Sequence, residues 1–454
     1  MDRNTKNVLE LENAKISKLL MKYFLPAFTG VIINSLYNIV DRIFIGHGVG
    51  AIALSGLSAV YPIMLIFLAF GMLIGIGSGV RVSINLGKKD FKRAELVLGN
   101  SFILMIIVSI IITSIGFSIK DPLLHLFGVG VDTKQVANEY LDIILYGAIF
   151  NVVGFSLNNL IRSEGNAKIA MFSMLISAGT NIILDPIFIF VFDMGVAGAA
   201  WATIISQFIL CVWVIVHFRS KRSVIQLRAS NFKLKGQIVL YIITIGFAPF
   251  SMQIAACFVQ GLFNIQLVKF SSDIAIAAMG IINSIAMLIL MTVMAINMAA
   301  QPIFGFNHGA KNFLRVKETL LMCMKAATGI ALVGWLIVEF FPETLVKAFN
   351  SSSEELLVVG SNGLRFFLLA LPVIGYQIIV SNYFQSIGRA GISTLLTLLR
   401  QVIFLIPILF ILPNFIGLHG VWIAEPISDV GSAIVSGTFI YFEFRKLNRL
   451  IANK

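Results

Sequence analysis

Apolar runs of about 18 residues or more recur along this whole chain, and each is long enough, wound as a helix, to cross a hydrocarbon core about 30 Å thick. A chain built this way has lipid rather than water as the solvent for most of its length. Of its 454 residues 58% are apolar and 12% charged, whereas soluble globular domains run roughly 45–50% and about 25%. Membrane β-barrels would instead show short alternating strands, and the sequence has none. In a soluble protein the net charge of +12 would point to nucleic acid. Here the basic residues fall in short loops at alternate helix ends, so the charge reports topology, and no nucleic-acid partner is expected.

Spans are predicted near 19–41, 52–80, 95–118, 137–161, 168–192 and 196–217, then near 238–268, 274–305, 317–341, 358–384, 391–412 and 418–443, with ends good to about 2–4 residues. The fold class expected is all-α, with twelve transmembrane helices. The first segment lacks a small-residue cleavage site and runs on into Asp41 and a second span, so it reads as a true helix rather than a signal peptide. With the N-terminus inside, 27 of the 34 Lys and Arg lie in the tails and even-numbered turns. Six lie on the other side (Arg42, Lys120, Lys134, Lys269, Lys347 and Arg365), and Arg400 is within the membrane. That bias places both termini in the cytoplasm. Cys211, Cys257 and Cys323 lie in or beside apolar segments with no CxxC, and read as small packed side chains.

The two halves repeat. Gly87-Lys88-Lys89-Asp90-Phe91-Lys92-Arg93 after the second span is echoed by Gly309-Ala310-Lys311-Asn312-Phe313-Leu314-Arg315 after the eighth. Asn159-Leu160-Ile161-Arg162-Ser163-Glu164-Gly165 before the fifth is echoed by Asn382-Tyr383-Phe384-Gln385-Ser386-Ile387-Gly388 before the eleventh. The two echoes share one offset to within a single position. Six spans separate equivalents, so the two six-helix bundles, residues 1–225 and 226–454, should share one orientation about an axis along the membrane normal.

The doubled Gly-x-x-x-Phe-x-Arg loops, the Asn-x-x-x-Ser-x-Gly turns, Asp41 closing the first span and Asn181-Ile182-Ile183-Leu184-Asp185-Pro186 in the fifth resemble the multidrug and toxic compound extrusion (MATE) family over essentially the whole chain. The stretch from Arg400 through Trp422-Ile423-Ala424-Glu425-Pro426 is similar to the MepA-type members of its DinF-like branch. The resemblance implies a bacterial inner-membrane antiporter, not an enzyme. It would export chemically varied, lipophilic and often cationic drugs or toxic organic cations, driven by inward proton or sodium flow, with the drug held in a central cleft. No cofactor beyond H+ or Na+ is expected, and the lipid-embedded chain is expected to be a monomer.

Ionised carboxylates at mid-helix cost about 2.5–3.5 kcal/mol on insertion scales, so an acid there needs a partner or a purpose. Asp185 lies 17 residues beyond Lys168, about 26 Å up from the inner face, and Asp41 lies 19 residues after Lys22, roughly 28 Å up. Both belong to the outer half of the N-terminal bundle. Asn181 is one turn from Asp185 on the same face, and Thr203 is about 12 Å below the outer end of the sixth span. Two carboxylates, an amide and a hydroxyl suit Na+, which prefers hard oxygen ligands, and equally suit a shared proton. The resemblance carries the family's N-lobe cation site onto Asp41, Asn181, Asp185 and Thr203. It places Asn34, Tyr37, Asn158 and Met174 along the drug cavity, with Asn158 near a helix end where solvent could satisfy it. Blander readings remain open. Asp41 can be an interfacial helix terminus beside Arg42, Asp185 can bond backbone freed by Pro186, and Asn181 and Thr203 can be packing residues.

The C-terminal bundle departs from this pattern. The equivalents of Asp41 and Asp185 are Ile265 or Gln266 and Ile406 to Pro407, so the paired C-lobe acids of NorM-type members are absent. In their place stand Arg400, about 14 Å in from Gly391, and Glu425 and Asp429, about 12 and 18 Å in from the other side. These depths overlap, which predicts a buried charged cluster, either a static ion triad or a set that exchanges Arg400 for a proton or cationic substrate. Pro26, Pro186, Pro302, Pro372, Pro407 and Pro426 interrupt helices, and Pro26 sits in the first helix, which the resemblance implies moves. The rival reading is a flippase for lipid or polysaccharide precursors, which should line its cavity with several Arg or Lys. A lipid-acting enzyme finds no HExxH, GxSxG or mid-membrane His-acid cluster, and a channel does not need doubled bundles with one asymmetric acid site.

Overall fold

Backbone polar groups inside a bilayer find no water, so every N–H and C=O must be satisfied within the segment, and helix is the only open-ended solution. The computed structural model, which describes residues 10–126, 130–270, 273–350 and 353–453, follows that rule: it is helical throughout, with no strand among the described residues. The first half comprises α1 (Ile16–Gly48), α2 (Ala51–Gly87), α3 (Phe91–Leu126), α4 (Val131–Ser163), α5 (Ala167–Pro186) and α6 (Gly195–Arg219). The second comprises α7 (Gly236–Phe270), α8 (Asp273–Gly309), α9 (Phe313–Phe340), the short α10 (Pro342–Lys347), α11 (Glu354–Phe367), α12 (Leu371–Ser386), α13 (Ala390–Leu398), α14 (Leu405–Ile411), α15 (Pro413–Ile416) and α16 (Leu418–Ala452). Ten spans are long and apolar enough to cross a membrane, and α11 with α12, bent by 46°, makes an eleventh. The twelfth is α16, whose apolarity is diluted by Glu425, Asp429 and several serines.

Three spans differ from the continuous helices predicted, each beside a proline. The tenth breaks between Phe367 and Leu371, where Pro372 starts a new helix because its missing N–H costs nothing in a first turn. The fifth passes at Pro186 into a π-helical turn, Ile187–Val191, and the eleventh contains another, Leu399–Phe404, just before Pro407. The Pro407 ring would clash with the Ile403 carbonyl four residues back, which lies in the second of these wider turns. The first span also runs further than expected. It continues to Gly48, so Asp41 does not close it but sits inside it.

Two compact units divide the chain, one built from Met21–Phe250 with the residues up to Lys15, the other from Ser251–Lys454 with Ile16–Leu20. The division falls inside α7 rather than in the basic connection before it. The first half of α7 belongs with α2, because Gly246 lies against the Leu73 carbonyl and Gly77 against the Ile242 carbonyl, leaving no room for a Cβ at either glycine. Within the first unit, a Cβ on Gly75 would meet the Ser156 Cα at 2.7 Å, and the Ser156 hydroxyl donates to the Gly71 carbonyl at 2.9 Å. Glycines spaced by four thus bring α2 and α4 into backbone contact. Its core gathers Ile45, Leu57, Phe67, Tyr140, Leu141 and Ile189. That of the second unit gathers Phe263, Ile282, Leu364, Phe367, Leu405 and Val421. Large apolar side chains such as Phe258, Leu288, Ile434 and Phe442 are left exposed, as a lipid solvent allows.

The internal repeat extends to backbone detail. Gly165 and Gly388 both take positive φ, 100° and 83°, and each donates its N–H to the carbonyl three residues back, Arg162 and Gln385, at 2.9 Å. Asn166 and Arg389 then bond the Ile161 and Phe384 carbonyls at 3.1 and 2.8 Å. A left-handed glycine of this kind ends a helix without Cβ strain. Gly195 and Gly417, φ 55° and 59°, open the sixth and twelfth spans in the same way. The free thiols of Cys211 and Cys323 are buried among apolar neighbours, and Cys257 is half-buried.

Candidate cation site in the N-terminal bundle

Asp41 and Asp185 arrive from different helices at one depth. Asp41 is 7 residues from the end of α1 and Asp185 is 6 residues from the end of the π turn that follows α5, so each lies about 10 Å inside its helix terminus at 1.5 Å per residue. Both helices finish on the same side. Asp41 is 8% exposed and Asp185 0%, and the two carboxyls are close enough to act on each other. Asn181 is buried beside Asp185, and Thr203 is buried on α6. The Asn181 amide donates to Asp185 Oδ1 at 3.2 Å.

Three oxygen atoms here, Asp41 Oδ1, Asp185 Oδ2 and Asn181 Oδ1, are buried without a hydrogen-bond partner. Buried polar atoms are nearly always satisfied, and each such exception asks for a cause. Two ionised carboxylates can only accept, so their closeness calls for a positive charge or a proton in the same space. Arg42 acts on Asp41, but its guanidinium lies over the Tyr61 ring, 5.3 Å from the centroid, and forms no salt bridge with either acid among the described residues. Among the described residues no group of three or more His, Cys, Asp or Glu converges. Two carboxylates with neutral oxygens fit a proton or a small monovalent cation rather than a transition metal.

The other residues expected in this bundle divide. Tyr37 is half-buried one turn before Asp41 and feels both acids. Asn34 is exposed on the same helix, and its carbonyl accepts from the Asn38 amide at 2.6 Å. Asn158 needs no solvent. It is buried, its Nδ2 donates to the Ala170 carbonyl at 2.9 Å and to Ser173 Oγ at 2.6 Å, and its Oδ1 accepts from Arg162. The same Arg162 reaches Met174 Sδ at 3.3 Å. Met174 in turn lies against Gly30 of α1, where a Cβ would come within 3.0 Å of the sulfur. Asn158 and Met174 therefore meet through Arg162, at the base of α4 and α5, while Asn34 and Tyr37 belong to the α1 face below the acids.

Tyr140 was not among the residues expected at this site. It comes from α4, is fully buried and feels Asp41, Tyr37 and Asp185. A signal existed in the repeat, because the equivalent positions of the second half hold Asn362 and Gly363. A phenol in one half without a counterpart in the other is the same kind of mark that singled out the two acids.

In the second unit the charged cluster forms as a fork. Arg400 Nε donates to Asp429 Oδ1 at 2.6 Å and Nη2 to Glu425 Oε1 at 3.1 Å.

A multi-span all-α chain whose one half buries a carboxylate pair that its twin bundle lacks has the architecture of a membrane transporter, and the family relationship makes it one. The MatE family profile matches residues 26–187 and 238–411, and the chain belongs to that family. It is 27% identical over 443 residues to the multidrug export protein MepA of Staphylococcus haemolyticus (strain JCSC1435), covering 98% of this chain and 96% of the relative. Among solved structures, a multidrug resistance MATE family transporter of the MOP superfamily in the outward-facing conformation superposes with a TM-score of 0.89 at 25% identity, covering 97% of this chain and 98% of that one. A MATE structure in the bent conformation superposes with a TM-score of 0.91 at 25% identity, covering 99% of each chain.

Proposed function

We propose that this protein exports lipophilic, often cationic drugs and toxic organic cations by antiport, with the coupling H+ or Na+ held by Asp41, Asn181, Asp185 and Thr203. The observation that carries this reading is the closeness of two buried carboxylates on α1 and α5, which together with Asn181 leave three oxygens unpartnered. With no cation present the two negative charges repel each other in a low-dielectric site. An inflowing proton or Na+ removes that repulsion and lets α1 draw onto α5. Pro26, which deprives the ladder of one N–H inside α1, is the place where that helix gives. A shift between two conformations coupled to ion binding is what alternating access requires.

The distribution of Lys and Arg supports a cytoplasmic membrane location with both termini inside. The family relationship and the MepA likeness support drugs as the cargo, and no other cofactor is required by the site. The chain works as a monomer in this reading, since the four-residue site is complete within one bundle.

The test is efflux of ethidium from cells and from proteoliposomes. Asp41→Asn and Asp185→Asn should each abolish it while leaving the amount of protein in the membrane unchanged. Normal efflux in either variant rejects the coupling role. Imposing a proton gradient or a sodium gradient, one at a time, identifies the ion.

A further inference from the structure

The mechanism above leaves unused the largest buried charge cluster of the second unit. Arg400 sits in the π turn Leu399–Phe404 of the eleventh span, and Glu425 and Asp429 are one turn apart on α16. The π register frees the Arg400 carbonyl, which accepts the Ser428 hydroxyl at 2.5 Å. This is the counterpart of a contact in the first unit, where the Ser177 hydroxyl donates to the Ser206 carbonyl at 3.2 Å. Ser177 and Arg400 occupy equivalent positions of the repeat, as do Ser206 and Ser428, and Thr203 and Glu425. The second unit thus places its charges at the same helix pair that, in the first unit, carries Asp185 and Thr203.

The charges do not balance. One guanidinium faces two carboxylates, and an isolated net charge buried in a membrane is costly. Arg400 serves Asp429 Oδ1 and Glu425 Oε1, while Asp429, 1% exposed, keeps Oδ2 buried without a partner. Among the described residues no other ionised group acts on either acid: Glu425 feels Asp429 and Arg400, and Asp429 feels Arg400. From neighbouring α12 come Tyr376, whose hydroxyl is given to the Ala433 carbonyl, and Tyr383, whose hydroxyl is given to Glu443 Oε1 at 3.0 Å. The nearest histidine along α16, His419, stacks edge-on against Trp422 at 6.1 Å. A metal cation would meet the guanidinium in the place where its third and fourth oxygen ligands belong. A bulky organic cation would need room that side chains 15%, 11% and 1% exposed do not leave. A proton needs neither.

We infer that Arg400, Glu425 and Asp429 form a second proton-binding site, in which the two acids together hold the guanidinium and one exchangeable proton. The protonated cluster is neutral, and the proton comes from water on whichever face the second unit opens to. Loss of that proton leaves one uncompensated negative charge between the eleventh and twelfth spans.

Two measurements test this on the full chain. Infrared difference spectroscopy of the purified protein across a pH titration should show the carbonyl stretch of a buried protonated carboxylic acid that persists in Asp41→Asn/Asp185→Asn and is lost in Glu425→Gln. Its survival in both Glu425→Gln and Asp429→Asn overturns the proposal, whether or not the first-unit site couples transport. The second measurement rests on the antiport reading. The proton-to-ethidium ratio, read from reversal potentials in proteoliposomes, should fall by one in Glu425→Gln, where the Arg400 cation faces a single carboxylate and the pair is neutral without a proton. An unchanged ratio in a transport-competent Glu425→Gln protein means that the cluster is scaffolding and overturns it too. Should Glu425→Gln not fold, Asp429→Asn carries both measurements with the same expected losses.

Discussion

Lys89 and Lys311, equivalent positions of the repeat, share a left-handed backbone, φ 60° and 58°. Each follows a long helix and precedes the residue that caps the next: Asp90 Oδ1 accepts the Arg93 N–H at 3.0 Å, and Asn312 Oδ1 accepts the Arg315 N–H at 3.5 Å. The turn reverses the chain at the membrane surface in both halves with a residue type that resists the conformation. A β-carbon in this region costs roughly 1–2 kcal/mol, so the lysines are held there by their surroundings and by the charge that topology needs. Lys89→Gly or Lys311→Gly should raise stability by about 0.5–1 kcal/mol once the glycine's greater unfolded entropy is set against the relieved strain. Thermal unfolding in detergent reads this out. A lower melting temperature for the glycine variants than for the matched alanine variants would count against it.

Tyr140 brings a buried phenol from a third helix, α4, to the neighbourhood of the acids on α1 and α5. Tyr140→Phe keeps the ring and removes one buried hydroxyl, whose polar interactions are worth about 1 kcal/mol net. That converts to roughly five-fold weaker binding of the coupling cation. Expression and folding should be normal, the driving-ion concentration for half-maximal ethidium efflux should rise by that factor, and maximal efflux should be kept. An unaltered half-saturation value removes Tyr140 from the site.

How much of this was legible beforehand follows from what each feature depends on. Span number and the repeat depend on local composition, and Gly165/Gly388 mark the same turn in the sequence and in the backbone. The depth of Asp41 and Asp185 was readable because helical rise is fixed, although the end of the first span was placed well short of Gly48. The overlap of Arg400 with Glu425 and Asp429 came from the same counting. What stayed hidden depends on tertiary contact or on hydrogen-bond register. The π turns after Pro186 and before Pro407 leave no mark beyond the prolines themselves. Asn158 gave no sign that Arg162 would take up its carbonyl oxygen. Glu164 gave none that it would be buried, since its partners come from a connection that looked like loop.

The start of that connection is gathered by one carboxylate. Glu164, fully buried after α4, accepts from Asn166 Nδ2 at 2.7 Å, Ser223 Oγ at 2.6 Å and the Val224 N–H at 3.0 Å, and it pairs with His217 Nε2 at 2.5 Å. Glu164→Ala leaves several buried donors without an acceptor and should cost about 3–5 kcal/mol. Glu164→Gln, which keeps one acceptor oxygen, should cost less. Limited trypsin digestion gives a local readout, because the released segment contains Arg219, Lys221 and Arg222. Cleavage there should be faster in Glu164→Ala than in the parent protein, and equal rates would show that other contacts hold the segment.

The charge imbalance around Arg400 makes an ordered prediction for stability. Arg400→Met removes the one cation of the cluster and leaves Glu425 and Asp429 facing each other, so it should destabilise the protein by about 3–5 kcal/mol. Adding Glu425→Gln removes the like-charge repulsion, and the remaining Asp429 can be held protonated, so the double variant should recover most of the loss. Glu425→Gln alone leaves Arg400 with the 2.6 Å partner and a neutral set, and should be close to the parent in melting temperature. The order Arg400→Met below the double variant, with the double variant below or near Glu425→Gln, follows from counting one guanidinium against two carboxylates. A double variant no better than Arg400→Met would mean that the guanidinium acts by packing between the spans, because the long arginine stem also fills space that methionine fills less well.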